Sequence, residues 1–198
     1  PELAREMGES TGRAALAALA GASKVSRVLR VVQQAVDLPL GVLPDTAALE
    51  GIRRDHLARA EAQEALGTPA GNINQRIHLV YAGWAGKALQ HGLAGLSPGT
   101  VAAEVQALRL GESILVGLPG EPFAEFGLQL QQEWGSQVIP LGYTNVNVGY
   151  VPWPDAYAEG GYEVNDAYRY YDYPAAVAPV SAGRILAAAR RAIAEVLG

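Results

Sequence analysis

The stretch that decides the fold is VAAEVQALRLGESILVGLPGEPF, residues 101–123. Residues 101–110 alternate apolar and polar side chains, which is typical of a half-exposed strand. Residues 113–118 are apolar almost throughout, as a buried central strand would be. The Gly111-Glu112 pair between them predicts a tight turn, so the two strands should pair as an antiparallel hairpin.

The rest of the chain alternates between predicted helices and strands. Apolar residues recurring at helical spacing predict helices, and alternating β-branched residues predict strands. The predicted helices cover 2–20, 45–66, 73–92, 122–134 and 180–197, and further strands cover 25–38 and 137–143, with an irregular segment at 144–178. Pro140 predicts a bulge or an edge position for the last strand. The sequence therefore predicts an α/β protein with a mixed sheet covered by helices.

Four predicted strands are few for a layered domain. A mixed sheet needs neighbouring strands and covering helices on both faces, and the chain opens at Pro1 already in helical phase. We therefore expect residues 1–198 to be an incomplete part of a larger layered domain. Within it, 1–99 would be a helix-rich segment and 100–198 would carry the sheet and the site loops. Apolar surface left bare would be buried against a missing N-terminal half or a partner chain.

Composition excludes several classes of protein. The chain is 49% hydrophobic, which is too apolar for intrinsic disorder, and it lacks cysteine, which excludes disulfides and thiolate metal sites. No apolar run reaches the roughly 20 residues of a membrane-spanning helix. The net charge is -5, and residues 100–198 hold eleven acids against five bases. No basic patch suits a phosphate backbone, so we expect a cation or a neutral substrate and no nucleic acid.

The first candidate site lies where the predicted strand 113–118 gives way to a helix. Glu121 follows this strand, and ligands of α/β sheets gather at the carboxyl ends of strands. Its carboxylate could therefore reach a cleft. The alternative is that Glu121 only complements the dipole of the first helical turn.

The second candidate is the loop at 142–163, within an irregular segment long enough to suggest a function. Eight of the nine tyrosines lie from Tyr143 onward. Seven of them could line a pocket with apolar rings and polar tips, namely Tyr150, Tyr157, Tyr162, Tyr168, Tyr170, Tyr171 and Tyr173. Alternatively, the loop only packs over the sheet edge. His56, His78 and His91 show no ligand spacing, so we interpret them as surface or helix-end residues.

These two loops also carry a family resemblance. The segments that carry it are 105–112, 116–123, Gly142-Tyr143-Thr144-Asn145, Gly149-Tyr150-Val151-Pro152, Ala156-Tyr157 and Gly160-Gly161-Tyr162-Glu163. In this order and spacing they resemble the C-terminal half of the catalytic domain of neutral/alkaline ceramidases, most closely the bacterial branch. The resemblance covers residues 100–198 well, and residues 1–99 only in the pattern of elements.

The resemblance implies a zinc-dependent amidohydrolase acting on a ceramide-like N-acyl lipid, as in sphingolipid metabolism. In that family two histidines of the N-terminal half hold one Zn²⁺ together with a glutamate and a tyrosine, which correspond here to Glu121 and Tyr150. The zinc-bound water would attack the amide carbonyl. Asn147 stands where the family has a first tyrosine, and the other catalytic groups are expected upstream of Pro1.

The same resemblance suggests a substrate pocket and a compartment. We expect the pocket to include Asn145, Asn147, Tyr157 and Tyr162, and the protein to be soluble and secreted or periplasmic. The alternative is a non-catalytic scaffold that binds no metal and serves recognition or assembly through its tyrosine-rich loop.

Overall fold

A four-stranded mixed sheet organises the chain. The computed structural model describes residues 2–22, 24–66 and 72–198. Strands within these ranges are, in chain order, β1 (Leu29–Pro39), β2 (Thr100–Leu110), β3 (Ser113–Gly117), β4 (Glu121–Pro122), β5 (Val138–Leu141) and β6 (Tyr150–Val151). The main sheet has the order β1-β2-β3-β5, antiparallel except for the parallel pair β3–β5. Strands β4 and β6 form a separate two-stranded parallel sheet. The predicted mixed sheet is confirmed.

The hairpin predicted around Gly111 is confirmed. Leu110 pairs with Ser113, and Gly111 makes the turn with φ 61°, a left-handed conformation that glycine adopts readily. Strand β3 is interior and more buried than β2. Strand β5 lies at the edge of the sheet, as Pro140 predicted.

The five longer helices of the described ranges lie at the predicted places. All helices in these ranges are α1 (Glu2–Ala20), α2 (Thr46–Ala65), α3 (Ile73–Leu93), α4 (Ala124–Trp134), α5 (Ala156–Glu159), α6 (Tyr162–Asn165) and α7 (Val180–Leu197), with a 3-10 helix at Ala167–Tyr171. Asp45 caps α2 by accepting a hydrogen bond from the Ala48 amide at 2.7 Å. Within the described ranges, no helix is both long and apolar enough to cross a membrane.

The main core lies between the sheet and the helices α4 and α7. Alternate residues of the strands, such as Val36, Val105 and Val116, bury their side chains against α7 residues such as Ile185 and Ile193. The opposite face carries a cross-strand apolar row in register, made of Val31, Leu108, Leu115 and Ile139. Val31 and Ile139 stay 51% and 42% exposed. This face therefore leaves part of its apolar row exposed.

Helices α2 and α3 form an antiparallel pair with a small core of their own around Leu49 and Trp84. The Trp84 indole donates a hydrogen bond to the Tyr173 carbonyl at 2.7 Å. The Arg169 guanidinium stacks over the Trp84 ring at 4.8 Å. These contacts join the helix pair to the tyrosine-rich segment beside the sheet.

Two predicted boundaries were wrong. The first strand begins at Leu29 and not at residue 25, because its partner strand β2 ends at Leu110 and the chain turns at Gly111. The last hydrogen bond at this end runs from the Gly111 amide to the Val28 carbonyl, at 2.9 Å. The segment 144–178 is also not irregular throughout. It contains β6, the two single-turn helices α5 and α6, and the 3-10 helix, all too short to leave a periodic sequence pattern.

Candidate active site

The candidate site is built on the short β4–β6 ladder. Glu121 pairs with Tyr150, and the Glu121 amide donates to the Gly149 carbonyl at 2.8 Å. Gly120 precedes Glu121 with φ 62°, and a Cβ there would collide with the Gly149 carbonyl oxygen. Only glycine allows this close approach of the two chain segments. The glycine of the Pro-Gly-Glu sequence is therefore required by the local backbone, whatever the role of the Glu121 carboxylate.

Tyr143 reaches the same place from the neighbouring strand. Strands β3 and β5 are parallel, so the residues that follow them emerge at the same end of the sheet. The Tyr143 amide donates to the Gly120 carbonyl at 2.7 Å, and its hydroxyl donates to Glu121 Oε2 at 2.5 Å. Tyr143 has φ 54°, an uncommon left-handed conformation for an aromatic residue. Backbone strain of this kind concentrates at functional sites.

Three phenols converge on one carboxylate. Besides Tyr143, the Tyr171 hydroxyl donates to Glu121 Oε1 at 3.4 Å, and Tyr150 lies beside Glu121 as its partner in the ladder. We call Glu121, Tyr143, Tyr150 and Tyr171 the Glu121 cluster. The Glu121 carboxylate is the main cause that raises the pKa of Tyr150 to about 12 and also raises the pKa of Tyr143. Both phenols are therefore neutral donors near neutral pH.

An apolar cavity of about 640 Å³ adjoins the Glu121 cluster. Its polar end is formed by Glu121, Tyr143 and Tyr150. The rest of the wall comes mainly from the residues after β3, the first turns of α4 and strand β5, and includes Leu118, Pro122, Phe123, Leu128 and Pro140. A mostly apolar pocket with a few polar groups suits a ligand of the same amphipathic kind.

The structure brings two of the four predicted pocket residues next to the Glu121 cluster. Asn147 donates to the Tyr171 hydroxyl at 3.4 Å, and the Tyr162 ring packs edge-on against Tyr150 with centroids 6.0 Å apart. Asn145 points elsewhere and donates to Glu104 on β2 at 2.5 Å. Tyr157 donates to the Val177 carbonyl at 2.5 Å and lines a different cavity. Participation of these four residues in substrate binding stays a prediction.

The contacts of Tyr143 and Tyr171 with Glu121 were not predicted from the sequence. The position of Tyr143 could have been predicted, because Tyr143 ends a strand predicted to lie in the same sheet as 113–118. The position of Tyr171 could not, because its place in the 3-10 helix depends on tertiary contacts. The Gly149 position is packed against the Tyr171 ring, which fixes that ring beside the ladder.

The histidines also differ from the sequence interpretation. His56 on α2 and His78 on α3 meet, with their Nδ1 atoms 3.1 Å apart. His91 is a helix-end residue as expected, and its Nε2 contacts the Ser97 carbonyl at 2.8 Å. None of the three belongs to the Glu121 cluster.

The Glu121 cluster fits zinc only as part of a shared site. The Glu121 carboxylate and the Tyr150 phenol are paired in the ladder, and both carry oxygen atoms that can bind a metal ion. Catalytic zinc normally takes three protein ligands, with histidine nitrogens prominent among them. Among the residues that the structure describes, no group of three His, Cys, Asp or Glu side chains could hold a metal ion. Any zinc held by Glu121 and Tyr150 would need ligands from elsewhere.

Comparison with known proteins found a local sequence similarity. No protein-family model matches this chain. The chain is 39% identical over 66 residues to a protein named neutral ceramidase from Mycobacterium tuberculosis, which covers 30% of this chain and 10% of that protein. This local sequence similarity supports a ceramidase-like relationship, while the chain spans about a tenth of the relative's length.

A solved structure carries the same name. The crystal structure of neutral ceramidase from Pseudomonas aeruginosa aligns with 87% of this chain and 29% of its own chain, at 14% identity and a TM-score of 0.43.

Proposed function

We propose that this chain contributes part of the active site of a zinc-dependent amidohydrolase of the neutral ceramidase type. The observation that carries the proposal is the convergence of Glu121 and Tyr150 at the mouth of an apolar cavity. The local sequence similarity to a neutral ceramidase supports it. In this proposal Glu121 and Tyr150 supply two oxygen ligands. The remaining ligands and catalytic groups come from a segment or partner chain outside residues 1–198.

When bound, zinc would polarise the amide carbonyl and lower the pKa of a water molecule. The chain's own residues would prepare the place for this chemistry. Tyr143 and Tyr171 donate hydrogen bonds to the two Glu121 oxygens and so fix the orientation of the carboxylate. The Tyr150 proton, stabilised by the neighbouring Glu121 carboxylate, would have to leave before the phenol oxygen binds a cation.

The proposed substrate is an N-acyl amide with a long apolar chain. The wall of the 640 Å³ cavity is mostly apolar, and its polar end carries the Glu121 cluster. An acyl chain in the cavity would leave the amide group beside Glu121 and Tyr150. A secreted or periplasmic location, where such lipids are accessible, belongs to the same proposal.

A second candidate is a non-catalytic ceramidase-like module that binds an amphipathic ligand without metal. The specific observation in its favour is that two phenols, Tyr143 and Tyr171, already donate hydrogen bonds to the Glu121 carboxylate. These bonds stabilise the carboxylate charge without a cation.

Metal titration combined with a hydrolysis assay separates the two candidates. The polypeptide that carries this chain is stripped with a chelator, titrated with Zn²⁺ and assayed on a fluorogenic N-acyl amide. The enzyme proposal expects zinc-dependent turnover that Glu121→Gln and Tyr150→Phe both abolish. The binding module expects ligand binding without turnover, unaffected by zinc. Residues 1–198 alone should be silent, and robust chelator-sensitive turnover by them would overturn the shared-site proposal.

A further inference from the structure

The pair His56 and His78 lies on two different helices, away from the Glu121 cluster. Their Nδ1 atoms are 3.1 Å apart, and both side chains are half-buried between α2 and α3. Two ring nitrogens come this close in one of two ways. Either one of them carries the proton of an N–H···N hydrogen bond, or both present lone pairs to a shared cation.

The distance is close to what a shared metal ion requires. Zinc–nitrogen bonds of 2.0–2.1 Å in tetrahedral geometry place two ligand nitrogens about 3.3–3.4 Å apart. The two rings would have to separate by only a few tenths of an ångström. They are also inclined at 55° to each other and not stacked, so their nitrogens can converge on one point.

The surroundings hold the His56 ring in place. Tyr81 packs edge-on against it with centroids 4.8 Å apart, and Tyr81 in turn contacts the Tyr170 ring. Burial, followed by the neighbouring His78, Arg59 and Arg169, lowers the pKa of His56. Of these cations, Arg169 is neutralised in part by its ion pair with Asp166 at 2.9 Å.

We propose that His56 and His78 form a binding site for a divalent transition-metal ion, which they hold through their Nδ1 atoms. Imidazole ligands select Zn²⁺, Cu²⁺ or Ni²⁺ over Mg²⁺ and Ca²⁺. With two protein ligands and water in the other positions, the site binds less tightly than a structural zinc site with four ligands. Bound metal would clamp α2 to α3.

The test is calorimetric titration of the chelator-stripped protein with Cu²⁺, Zn²⁺ and Mg²⁺. We expect binding of Cu²⁺ and then Zn²⁺, and none of Mg²⁺ at the same concentrations. His56→Gln and His78→Gln should each weaken Zn²⁺ binding at this site by at least about tenfold. The matched control is His91→Gln, which removes a histidine with a different partner and should leave binding unchanged. The Glu121→Gln variant should also keep the histidine site, which distinguishes it from the proposed catalytic metal.

A second measurement needs no variant. Among the three histidines of residues 1–198, zinc should shift the imidazole NMR resonances of His56 and His78 and leave those of His91 in place. Equal metal affinity in the wild type and in both glutamine variants would overturn the proposal. So would zinc-induced shifts that spare His56 and His78.

Discussion

Glu121 and Tyr150 are register partners in a parallel ladder only two residues long, although 28 residues separate them in the sequence. Directly paired residues of neighbouring strands project their side chains to the same side of the sheet. The carboxylate and the phenol therefore meet because of the backbone pairing, and Tyr143 and Tyr171 add to a pair that already exists.

Removing the Glu121 charge should abolish the proposed chemistry. We expect Glu121→Gln to reduce zinc-dependent hydrolysis of an N-acyl amide by at least about 100-fold, because the loss of a ligand exceeds the effect of losing an outer-shell partner. The measurement is kcat/KM in the protein that carries this chain. The control is Glu125→Gln on the exposed first turn of α4, where activity should persist. Equal losses in both variants would speak against a special role for Glu121.

Gly120 should tolerate no side chain. The change Gly120→Ala puts a Cβ into the Gly149 carbonyl at a positive φ, so we expect it to cost about 1–3 kcal/mol in the free energy of unfolding. Urea denaturation measures this. The matched control, Gly183→Ala, lies on helix α7 with open space around it and should stabilise the protein by up to about 1 kcal/mol. A neutral effect at Gly120 would contradict the close approach of β4 and β6.

The ion pair between Glu133 and Arg190 should make stability depend on acidity. Arg190 donates two hydrogen bonds to Glu133, and these, with one from Gln129, lower the pKa of Glu133 to about 2. Since the folded pKa is depressed, the stabilisation is complete above the ordinary pKa of 4.5 and is lost as the pH falls toward 2. The variant Glu133→Gln should therefore be less stable by about 0.5–1 kcal/mol at pH 7.

The measurement is the urea midpoint of both proteins across this pH range. The difference between wild type and Glu133→Gln should shrink from pH 5 downward. Glu125→Gln on the same helix is the control. A difference that stays constant with pH would show that the ion pair contributes nothing through charge.

Two tryptophans whose indole N–H groups differ in hydrogen bonding should respond differently to the same change. Trp84→Phe removes the hydrogen bond to the Tyr173 carbonyl from a fully buried ring, so we expect a loss of about 1–3 kcal/mol. Trp134→Phe removes an indole N–H that is buried without a hydrogen-bond partner among the described residues. Trp134→Phe should reduce the free energy of unfolding by less than Trp84→Phe, because the Trp134 N–H makes no hydrogen bond that the change would remove. Thermal or urea unfolding of the two variants provides the comparison, and the reverse order would be incompatible with these contacts.

The main sheet could be predicted from sequence because its signals are local. Each of these signals lies within a dozen residues: the alternation at 101–110, the apolar run at 113–118 and the turn at Gly111. Pro140 likewise indicates an edge strand of the sheet without reference to other segments. The β4–β6 ladder could not be predicted, since two residues carry no periodicity.

The site was predictable only in part for the same reason. Glu121 follows a recognisable strand, whereas the position of Tyr171 depends on how a 3-10 helix packs against the ladder. The meeting of His56 and His78 depends on how two helices pair, and neither histidine is marked by its own neighbours in the sequence.

The loop from Tyr143 to Tyr150 is tied to the β3–β4 connection by main-chain bonds, among them Gly120 to Val146 and Thr144 to Leu118. Peptide groups are common to all residues, so these bonds hold the path of the chain without any particular side chain. Some side chains of the loop add bonds of their own: Asn147 accepts from the Gly149 amide at 3.0 Å, and Thr144 donates to the Leu141 carbonyl at 3.1 Å. At Val146, whose own tie is a main-chain bond, chemical identity can be exchanged while the path of the chain is kept. The same property makes this position a suitable place to engineer new substrate preferences.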